Sequence, residues 1–221
     1  MIPILFDLDG TITDPKPGFL ASVDFALRSL GESGRKESEL LQFIGPPLRN
    51  TFATLLETDD PERIEKALIL YRERLDNGGK FEAEVYPGMR ELLKRLSDQG
   101  YPLFVATGKP RCVATEIIAH FELSHYFIQV YGAELDGRFV DKAELIEHLF
   151  QEQSLQDGQG VMIGDTAFDI RAGRLNQLET IGVSWGYGTD DQMQSEAVGF
   201  IVPDVIELER AIDRLGRVAG A

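Results

Sequence analysis

Two aspartates separated by one residue follow the first apolar segment of the chain. They stand in Asp7-Leu8-Asp9-Gly10-Thr11, directly after a predicted strand at residues 2–6. Residues two apart in an extended chain point to the same side, so the two carboxylates are expected to lie near each other if the extended backbone persists. Two carboxylates 4 Å apart repel each other by about 4 kcal/mol at an effective dielectric near 20. Such a pair requires a compensating cation.

A second acidic pair occurs in Gly164-Asp165-Thr166-Ala167-Phe168-Asp169, between a predicted strand and a predicted helix. The spacing places Asp165 and Asp169 one turn apart on a single helical face. Clustered carboxylates suit a hard cation such as Mg²⁺, which takes oxygen ligands and retains waters. Aspartate is also favoured at helix N-termini, so helix capping is the alternative interpretation of this pair.

A hydroxyl and a lysine follow two further predicted strands. Thr107 lies in Ala106-Thr107-Gly108-Lys109-Pro110, where a proline suits the first helical turn and exposed amides at a helix start can bind phosphate. An ordinary strand-to-helix turn is the alternative there. Lys142 follows Asp141, a predicted helix cap, and a lysine in a first turn opposes the helix dipole by about 0.3–1 kcal/mol. This cost indicates a functional role, although a solvated surface lysine is the simpler interpretation of Lys142 alone.

Short apolar segments rich in β-forming residues alternate with helical stretches along most of the chain. The predicted strands are residues 2–6, 102–106, 127–131, 161–163, 180–183 and 200–202. This alternation predicts an α/β fold with a Rossmann-like parallel sheet covered on both faces. All the groups above come at the carboxyl end of a strand or the start of the next helix, so one sheet edge would collect them. Phosphoryl transfer requires acids that bind a metal, hydrogen-bond donors that hold the phosphate, and a lysine that offsets negative charge.

Residues 15–87 are different, because no strand is predicted there and apolar residues recur at helical spacing. Gly45-Pro46-Pro47 interrupts this pattern, and Pro61 suits a first helical turn. We therefore predict an all-α helical cap domain at residues 15–87, inserted into a core domain formed by residues 1–14 and 88–221. Prolines at both ends of the insertion indicate two hinged connections.

The composition excludes several classes of partner. The net charge of −15, from 22 basic and 37 acidic residues, argues against nucleic acid, which is bound by surplus cations. No apolar run approaches the roughly 18 residues that cross a bilayer, so no membrane partner is expected. A single cysteine, Cys112, and no signal-peptide pattern favour a reducing, cytoplasmic location. No oligomeric state is predicted.

Together the motifs resemble those of the haloacid-dehalogenase-like hydrolase superfamily. The resemblance rests on Asp7-Leu8-Asp9-Gly10-Thr11, Thr107, Lys142 and Gly164-Asp165-Thr166 through Asp169. Further segments, including Gly45-Pro46-Pro47-Leu48-Arg49 and Trp185-Gly186-Tyr187-Gly188, are similar to the phosphoglycolate-phosphatase-like branch and, within it, to the bacterial 5′-nucleotidase-like group. The resemblance implies a Mg²⁺-dependent phosphatase acting on small phosphomonoesters, with nucleoside 5′-monophosphates as the expected substrates and phosphoglycolate as the alternative.

The resemblance also implies which residues carry the reaction. Asp7 would attack phosphorus to give an aspartyl-phosphate. Asp9 would act as general acid toward the leaving alcohol and then as general base toward water. Four residues would hold the Mg²⁺ ion: Asp7, Asp9 through its backbone carbonyl, Asp165, and Asp169 directly or through water.

Substrate binding is assigned in the same way. Thr107, the Gly108 amide and Lys142 would hold phosphate oxygens, and Lys142 would also offset the charge of the nucleophile. Arg49, at the start of a cap helix, is the candidate for contacting the leaving group, with a solvated surface arginine as the alternative. Trp185 and Tyr187 lie in a loop after a strand, where local packing is a simpler interpretation than contact with a base.

Two other functions share part of this chemistry. A sugar phosphomutase uses the same pair of aspartates but transfers phosphate within a sugar phosphate instead of to water. A receiver-like signalling module also combines acids, Mg²⁺, a hydroxyl and a lysine on a parallel sheet, yet receivers are smaller and have no helical insertion. Release of phosphate to water separates a phosphatase from the phosphomutase. A binding or scaffold protein that keeps the fold but has lost turnover is a further alternative, against which the intact motifs argue. A multi-turnover assay with an aryl phosphate discriminates the phosphatase from the receiver and from this binding protein.

Overall fold

A computed structural model describes residues 1–218 of the chain. The chain divides into two compact units, one formed by Met1–Asp14 together with the chain from Val85 onward, the other by Pro15–Glu84. The strands are β1 (Ile4–Phe6), β2 (Thr13–Asp14), β3 (Glu84–Val85), β4 (Leu103–Pro110), β5 (Gln129–Ala133), β6 (Val161–Gly164), β7 (Glu179–Val183) and β8 (Phe200–Val202). The helices are α1 (Lys16–Ser29), α2 (Glu37–Leu40), α3 (Leu48–Leu55), α4 (Pro61–Asp76), α5 (Met89–Asp98), α6 (Arg111–His120), α7 (Lys142–Glu152), α8 (Ala167–Leu175), α9 (Asp190–Ser195) and α10 (Val205–Val218).

Six strands form one sheet in the order β5-β4-β1-β6-β7-β8, and every neighbouring pair is parallel. Each of the six predicted strand segments contributes one of these strands, which confirms the α/β fold. The order reverses at β1, so its carboxyl end lies at the switch point where open α/β sheets bind ligands. The strands β2 and β3 form a separate two-stranded sheet. No strand was predicted at Glu84–Val85, because two residues are too short to show an alternating pattern.

The central strand β1 is buried on both faces. Ile4 and Phe6 belong to one apolar cluster and Leu5 to another, and all three are fully inaccessible to solvent. This alternation follows from the two-residue period of a strand. Helices α5, α6 and α10 supply the first cluster and helices α7 and α8 the second, so the sheet is covered on both faces.

The unit Pro15–Glu84 contains helices α1 to α4. Phe19 and Phe52 each make an edge-on contact with the ring of Tyr71, and all three side chains are buried. Pro61 is the first residue of α4, and the preceding Asp60 caps that helix by accepting a hydrogen bond from the Glu62 amide. Across residues 1–218, no helix is long and apolar enough to cross a membrane.

Candidate active site

Three buried carboxylates converge at the carboxyl ends of two adjacent strands. Asp7 follows β1 and Asp165 follows β6, and these strands pair in register with Phe6 opposite Ile163. Asp169 comes from the first turn of α8. Oxygen atoms of the three carboxylates lie within 4.8 Å of one another. The sheet therefore brings together acids that are about 160 positions apart in the sequence, as the strand positions predicted.

Lys142 supplies a positive charge to this acidic cluster. Its Nζ lies 2.9 Å from Asp7 Oδ1 and donates a hydrogen bond to Asp169 Oδ1. The side chain is only 11% exposed, so the interpretation of Lys142 as a solvated surface lysine is wrong. Asp141 caps α7 as predicted, because its carboxylate accepts hydrogen bonds from the amides of Ala143 and Glu144. The cap fixes the first turn, from which Lys142 reaches the carboxylates.

The electrostatics of the cluster follow from three acids sharing one ammonium group. Burial raises the pKa of Asp7 to about 6, with Lys142 opposing the shift and the charge of Asp169 adding to it. Burial, followed by the charges of Asp169 and Asp7, raises the pKa of Asp165 to about 8. Burial disfavours the charged form of Lys142, yet Asp169 and Asp7 outweigh it and the pKa of Lys142 is raised. The cluster is short of positive charge, which a divalent cation would supply.

The predicted placement of Asp165 and Asp169 on one helical face is wrong. Helix α8 begins at Ala167 with Thr166 as its cap, so Asp165 lies in the turn before the helix. The amide and the hydroxyl of Thr166 donate hydrogen bonds to Asp169 Oδ2, at 3.0 and 2.6 Å. Asp169 therefore caps the helix with one oxygen, as the alternative interpretation has it, and contacts Lys142 with the other. Binding of a cation by Asp169 stays a prediction.

Asp9 takes a different position from the three clustered carboxylates. The extended backbone does not persist beyond β1, because the amides of Ile12 and Thr13 donate to the Leu8 carbonyl and close a turn. The charge of Asp9 still contributes to the raised pKa of Asp7, so the two carboxylates interact. Asp9 Oδ2 lies 2.7 Å from the Nζ of Lys109. Lys109 belongs to the segment Ala106-Thr107-Gly108-Lys109-Pro110, but the sequence did not show that Asp9 is its partner.

Thr107 and Gly108 stand near the end of β4, beside β1 in the sheet. The Thr107 side chain is buried, and its Oγ1 accepts a hydrogen bond of 3.3 Å from the Lys109 amide, which leaves the hydroxyl proton for an anion. Gly108 is exposed, and a Cβ added there would meet nothing within 4 Å. Strand β4 runs to Pro110 with a register shift, and α6 begins at the next residue. The expectation that Pro110 lies inside the first helical turn is wrong by one residue.

Arg49 lies in the other unit, as the second residue of α3. Its guanidinium forms an ion pair of 2.6 Å with Glu65 Oε2, and the side chain is 56% exposed. This pair is formed entirely within Pro15–Glu84. A contact between Arg49 and a leaving group stays a prediction.

The loop after β7 positions Asp165. The Tyr187 amide donates a hydrogen bond of 2.7 Å to Asp165 Oδ2. A Cβ at Gly186 would come within 2.3 Å of the Asp165 Cβ, and one at Gly188 within 2.0 Å of the Asp165 carbonyl oxygen. Only glycine permits this approach, so the alternating glycines of Trp185-Gly186-Tyr187-Gly188 were the sequence signal for a loop that wraps an acid.

The two aromatic side chains of the same loop pack against the segment that follows Asp9. Trp185 Nε1 donates a hydrogen bond of 3.2 Å to the Thr11 carbonyl, and the Tyr187 hydroxyl donates to Asp14 Oδ1. The Trp185 ring also contacts the ring of Tyr86 at a centroid separation of 6.2 Å. The structure thus shows local packing for both aromatic residues.

If the acidic cluster binds Mg²⁺, as proposed below, replacing Gly10 with alanine is expected to weaken that binding and the turnover about 10- to 100-fold, as happens when a residue that supports a metal ligand is changed. Gly10 has φ +82°, and a Cβ there would lie 2.3 Å from Asp165 Oδ2, so the carboxylate must move. The matched control is Gly100→Ala, because Gly100 has φ +83° but no atom within 4 Å of the added Cβ. Calorimetric Mg²⁺ titration of both variants separates displacement of Asp165 from backbone strain. Equal losses in the two variants would contradict the expectation.

Comparisons by family profile, by sequence and by structure each find proteins that are similar to this chain over most of its length. The family profile described as haloacid dehalogenase-like hydrolase matches residues 4–183. A 5′-nucleotidase of Pseudomonas aeruginosa is 39% identical over 210 residues, which covers 95% of each chain. A phosphoglycolate phosphatase of Aliivibrio fischeri is 26% identical, over 93% of this chain and 92% of that protein. The crystal structure of a predicted phosphatase from Clostridium acetobutylicum is 34% identical and superposes with a TM-score of 0.91, covering 97% of this chain and 99% of that one.

Proposed function

We propose that this chain, which belongs to the haloacid dehalogenase-like hydrolase family and is a phosphoric monoester hydrolase, depends on Mg²⁺ and acts on nucleoside 5′-monophosphates. The observation that carries the proposal is the cluster of three buried carboxylates around the ammonium of Lys142. The relative named a 5′-nucleotidase supports the nucleotide substrate, since the likeness extends over almost the whole of both chains.

The acidic cluster fits a magnesium ion. Its donors are carboxylate oxygens, the atoms that Mg²⁺ prefers, and three acids face one ammonium group. The residues that would hold the ion are Asp7, Asp165 and Asp169, together with the carbonyl of Asp9. A bound divalent cation would offset the negative charge that otherwise keeps an anionic nucleophile from an anionic phosphate.

In the proposed reaction an oxygen of Asp7 attacks phosphorus, so a bond forms between Asp7 and phosphorus as the bond to the leaving oxygen breaks. Asp9 donates a proton to that leaving oxygen. A water molecule then attacks the phosphorus of the aspartyl-phosphate and passes a proton to Asp9. The bond between phosphorus and Asp7 breaks in this step, which releases phosphate and restores Asp7 as a carboxylate. The Thr107 hydroxyl and the Gly108 amide would hold phosphate oxygens, while Lys142 balances the charge.

Phosphoglycolate is the alternative substrate, supported by the relative with that activity in its name. A sugar phosphomutase would use the same two aspartates, and phosphate released to water distinguishes hydrolysis from transfer. The match to the hydrolase family over residues 4–183 favours an enzyme over a receiver-like signalling module.

The test is phosphate release from a panel of nucleoside monophosphates, phosphoglycolate and sugar phosphates, with Mg²⁺ and with a chelator. We expect the highest kcat/KM for a nucleoside 5′-monophosphate and no turnover without divalent cation. A higher kcat/KM for phosphoglycolate would replace the substrate that we propose. Full activity in the chelator would contradict the metal dependence.

The stabilisation of the protein by Mg²⁺ is expected to increase with pH. The folded-state pKa values of Asp7 and Asp165, about 6 and about 8, lie above the ordinary value of 3.8. Without divalent cation the folded state therefore binds more protons than the unfolded state, and these two groups lower the unfolding free energy as pH rises. Protons compete with Mg²⁺ for the carboxylates, so the gain from the metal is largest where they are ionised.

The measurement is the difference in Tm with and without Mg²⁺ at several pH values. At a cation concentration 100-fold above Kd the gain is about 2.7 kcal/mol, or about 5–10 °C for a chain of this size. We expect this full gain near pH 9 and a much smaller gain near pH 5. Asp165→Asn should remove most of it. A gain that is independent of pH would contradict the assignment of these carboxylates as metal ligands.

A further inference from the structure

We propose that Lys109 is a positioning residue for Asp9. Its ammonium group fixes one oxygen of the Asp9 carboxylate, so that the other oxygen is the one that exchanges a proton with the leaving group and with water. The inference rests on the proposed function, in which Asp9 is the general acid and base. It assigns a role to a residue that is neither in the acidic cluster nor among the predicted phosphate contacts.

The contact between the two side chains is close and largely shielded from solvent. Lys109 Nζ lies 2.7 Å from Asp9 Oδ2, and the side chains are 13% and 21% exposed. Ion pairs on the surface of the same unit are much more open; in the Lys94–Asp98 pair both side chains are more than 60% exposed. Because shielding from water strengthens an ion pair, the contact with Lys109 restrains the Asp9 carboxylate where a surface pair would not.

The two oxygens of Asp9 are not equivalent. Oδ2 faces Lys109, whereas Oδ1 is buried and receives no hydrogen bond from any group in residues 1–218. An ammonium group only donates hydrogen bonds, so the oxygen that it contacts acts as an acceptor. A proton on Asp9 therefore resides on Oδ1. Buried acceptors are normally paired, and one left without a donor next to a nucleophile is suited to contact the substrate.

The backbone holds Lys109 in place. Strand β4 changes register against β5 between Thr107 and Pro110, which displaces the Lys109 backbone from the regular ladder. Gly132 of β5 allows the displaced backbone to come close, since a Cβ there would lie 2.5 Å from the Lys109 carbonyl oxygen. The Lys109 amide also donates a hydrogen bond to the Thr107 hydroxyl. Bulges of this kind re-aim a side chain next to an active site.

Lys109 lies where its positive charge can stabilise the negative charge that forms on Asp9 during the reaction. As the bond between phosphorus and the leaving oxygen breaks, the O–H bond at Asp9 Oδ1 breaks and an O–H bond forms on the leaving oxygen. Asp9 then becomes a carboxylate, and the adjacent ammonium balances the new charge. When water attacks the aspartyl-phosphate, a bond forms between the water oxygen and phosphorus as the bond between phosphorus and Asp7 breaks. The water proton passes to Oδ1, phosphate leaves, and Asp7 is again a carboxylate.

The experiment compares kcat/KM for 4-nitrophenyl phosphate, whose leaving group needs little protonation, with kcat/KM for an alkyl phosphate, whose leaving group needs a proton. Loss of the general acid lowers kcat/KM only for the alkyl phosphate. General acid catalysis contributes about 10²- to 10⁴-fold to the rate. For Lys109→Met we expect kcat/KM to fall about 10- to 100-fold more for the alkyl than for the aryl substrate. Lys109→Arg should restore part of the difference.

Two controls define the outcome. Lys94→Met removes a lysine from an ion pair with Asp98 in the same unit and should leave both substrates unaffected. In an Asp9→Asn background, Lys109→Met should cause no further loss on the alkyl phosphate, because the two residues act as one unit. A drop in Tm alone, with both substrates slowed equally, would mark Lys109 as structural and overturn the inference.

An equal loss on both substrates at unchanged Tm would also overturn it, since that pattern indicates direct binding of the transferred phosphate. Unchanged kcat/KM in Lys109→Met would overturn it as well. If the unaltered protein releases no phosphate from either substrate, the proposed function fails and this inference fails with it. Normal turnover of the unaltered protein with any of the contrary patterns leaves the proposed function intact and removes only the role of Lys109.

Discussion

Asp7→Asn is expected to lower phosphate release by a factor of about 10⁴–10⁶, because an amide oxygen cannot serve as the nucleophile that forms the covalent intermediate. The same substitution should raise the Tm of the metal-free protein. It removes one of three buried carboxylates that share the single ammonium of Lys142. Loss of activity together with a gain in stability distinguishes a catalytic role from damage to the fold.

The matched control is Asp98→Asn. Asp98 is an exposed aspartate paired with Lys94 on the surface of helix α5, so its replacement should change neither quantity. Activity is measured as multi-turnover phosphate release and stability as thermal unfolding in a chelator. Activity of Asp7→Asn within 10-fold of the unaltered protein would show that another group attacks the phosphorus.

Lys142→Met is expected to cost both stability and activity. It leaves the carboxylates of Asp7 and Asp169, which are buried and contact Lys142, without a compensating charge. Removal of one partner from a buried ion pair costs about 3–5 kcal/mol, which corresponds to a loss of roughly 6–20 °C in Tm for a chain of this length. Activity should fall about 10²- to 10³-fold, as it does when one charge-stabilising donor is removed from an active site.

Mg²⁺ should restore part of the stability that Lys142→Met loses, because the cation replaces the missing positive charge, while the activity stays low. Lys94→Met is the matched control, since that lysine lies on the surface. The measurement is thermal unfolding of both variants in chelator and in Mg²⁺. Equal, small changes in Tm for the two variants would contradict a buried structural charge at Lys142.

Much of the fold could be predicted because its strands are buried on both faces. A buried parallel strand has an almost continuous apolar sequence, and Ile4, Leu5 and Phe6 are all inaccessible to solvent. The pair β2 and β3 could not be predicted in this way. Each has two residues, so its position depends on contacts made elsewhere in the structure and leaves no pattern in the local sequence.

The acidic cluster was predictable for a related reason. Asp7 and Asp165 each follow a strand of one parallel sheet, Asp169 lies in the first turn of the helix after β6, and the carboxyl ends of these strands meet. The orientation of Asp9 was not. It depends on a turn at Gly10 and on Lys109, which is 100 positions away along the chain. The start of α8 was also misplaced, because Thr166 and Asp169 form a capping box and the helix begins at Ala167, two residues after Asp165.

The contacts of the loop after β7 also depend on tertiary structure. The close approach of Gly186 and Gly188 to Asp165 was not predicted, because the sequence does not show which residue the loop meets. Such pairs are fixed by tertiary structure, since their members come from different strands of the sheet. Local sequence patterns therefore predicted that Asp7, Asp165 and Asp169 come together, and left partners such as the Tyr187 amide undetermined.

The most direct test of the central claim is to quench the reaction within its first turnover, using substrate labelled at phosphorus, and to locate the label on the protein. We predict a phosphoryl group on Asp7 that is cleaved by hydroxylamine, as an acyl phosphate is, and that accumulates further in Asp9→Asn with an aryl phosphate because its hydrolysis is slowed. Release of a full equivalent of phosphate with no label on Asp7 in either protein would contradict the account.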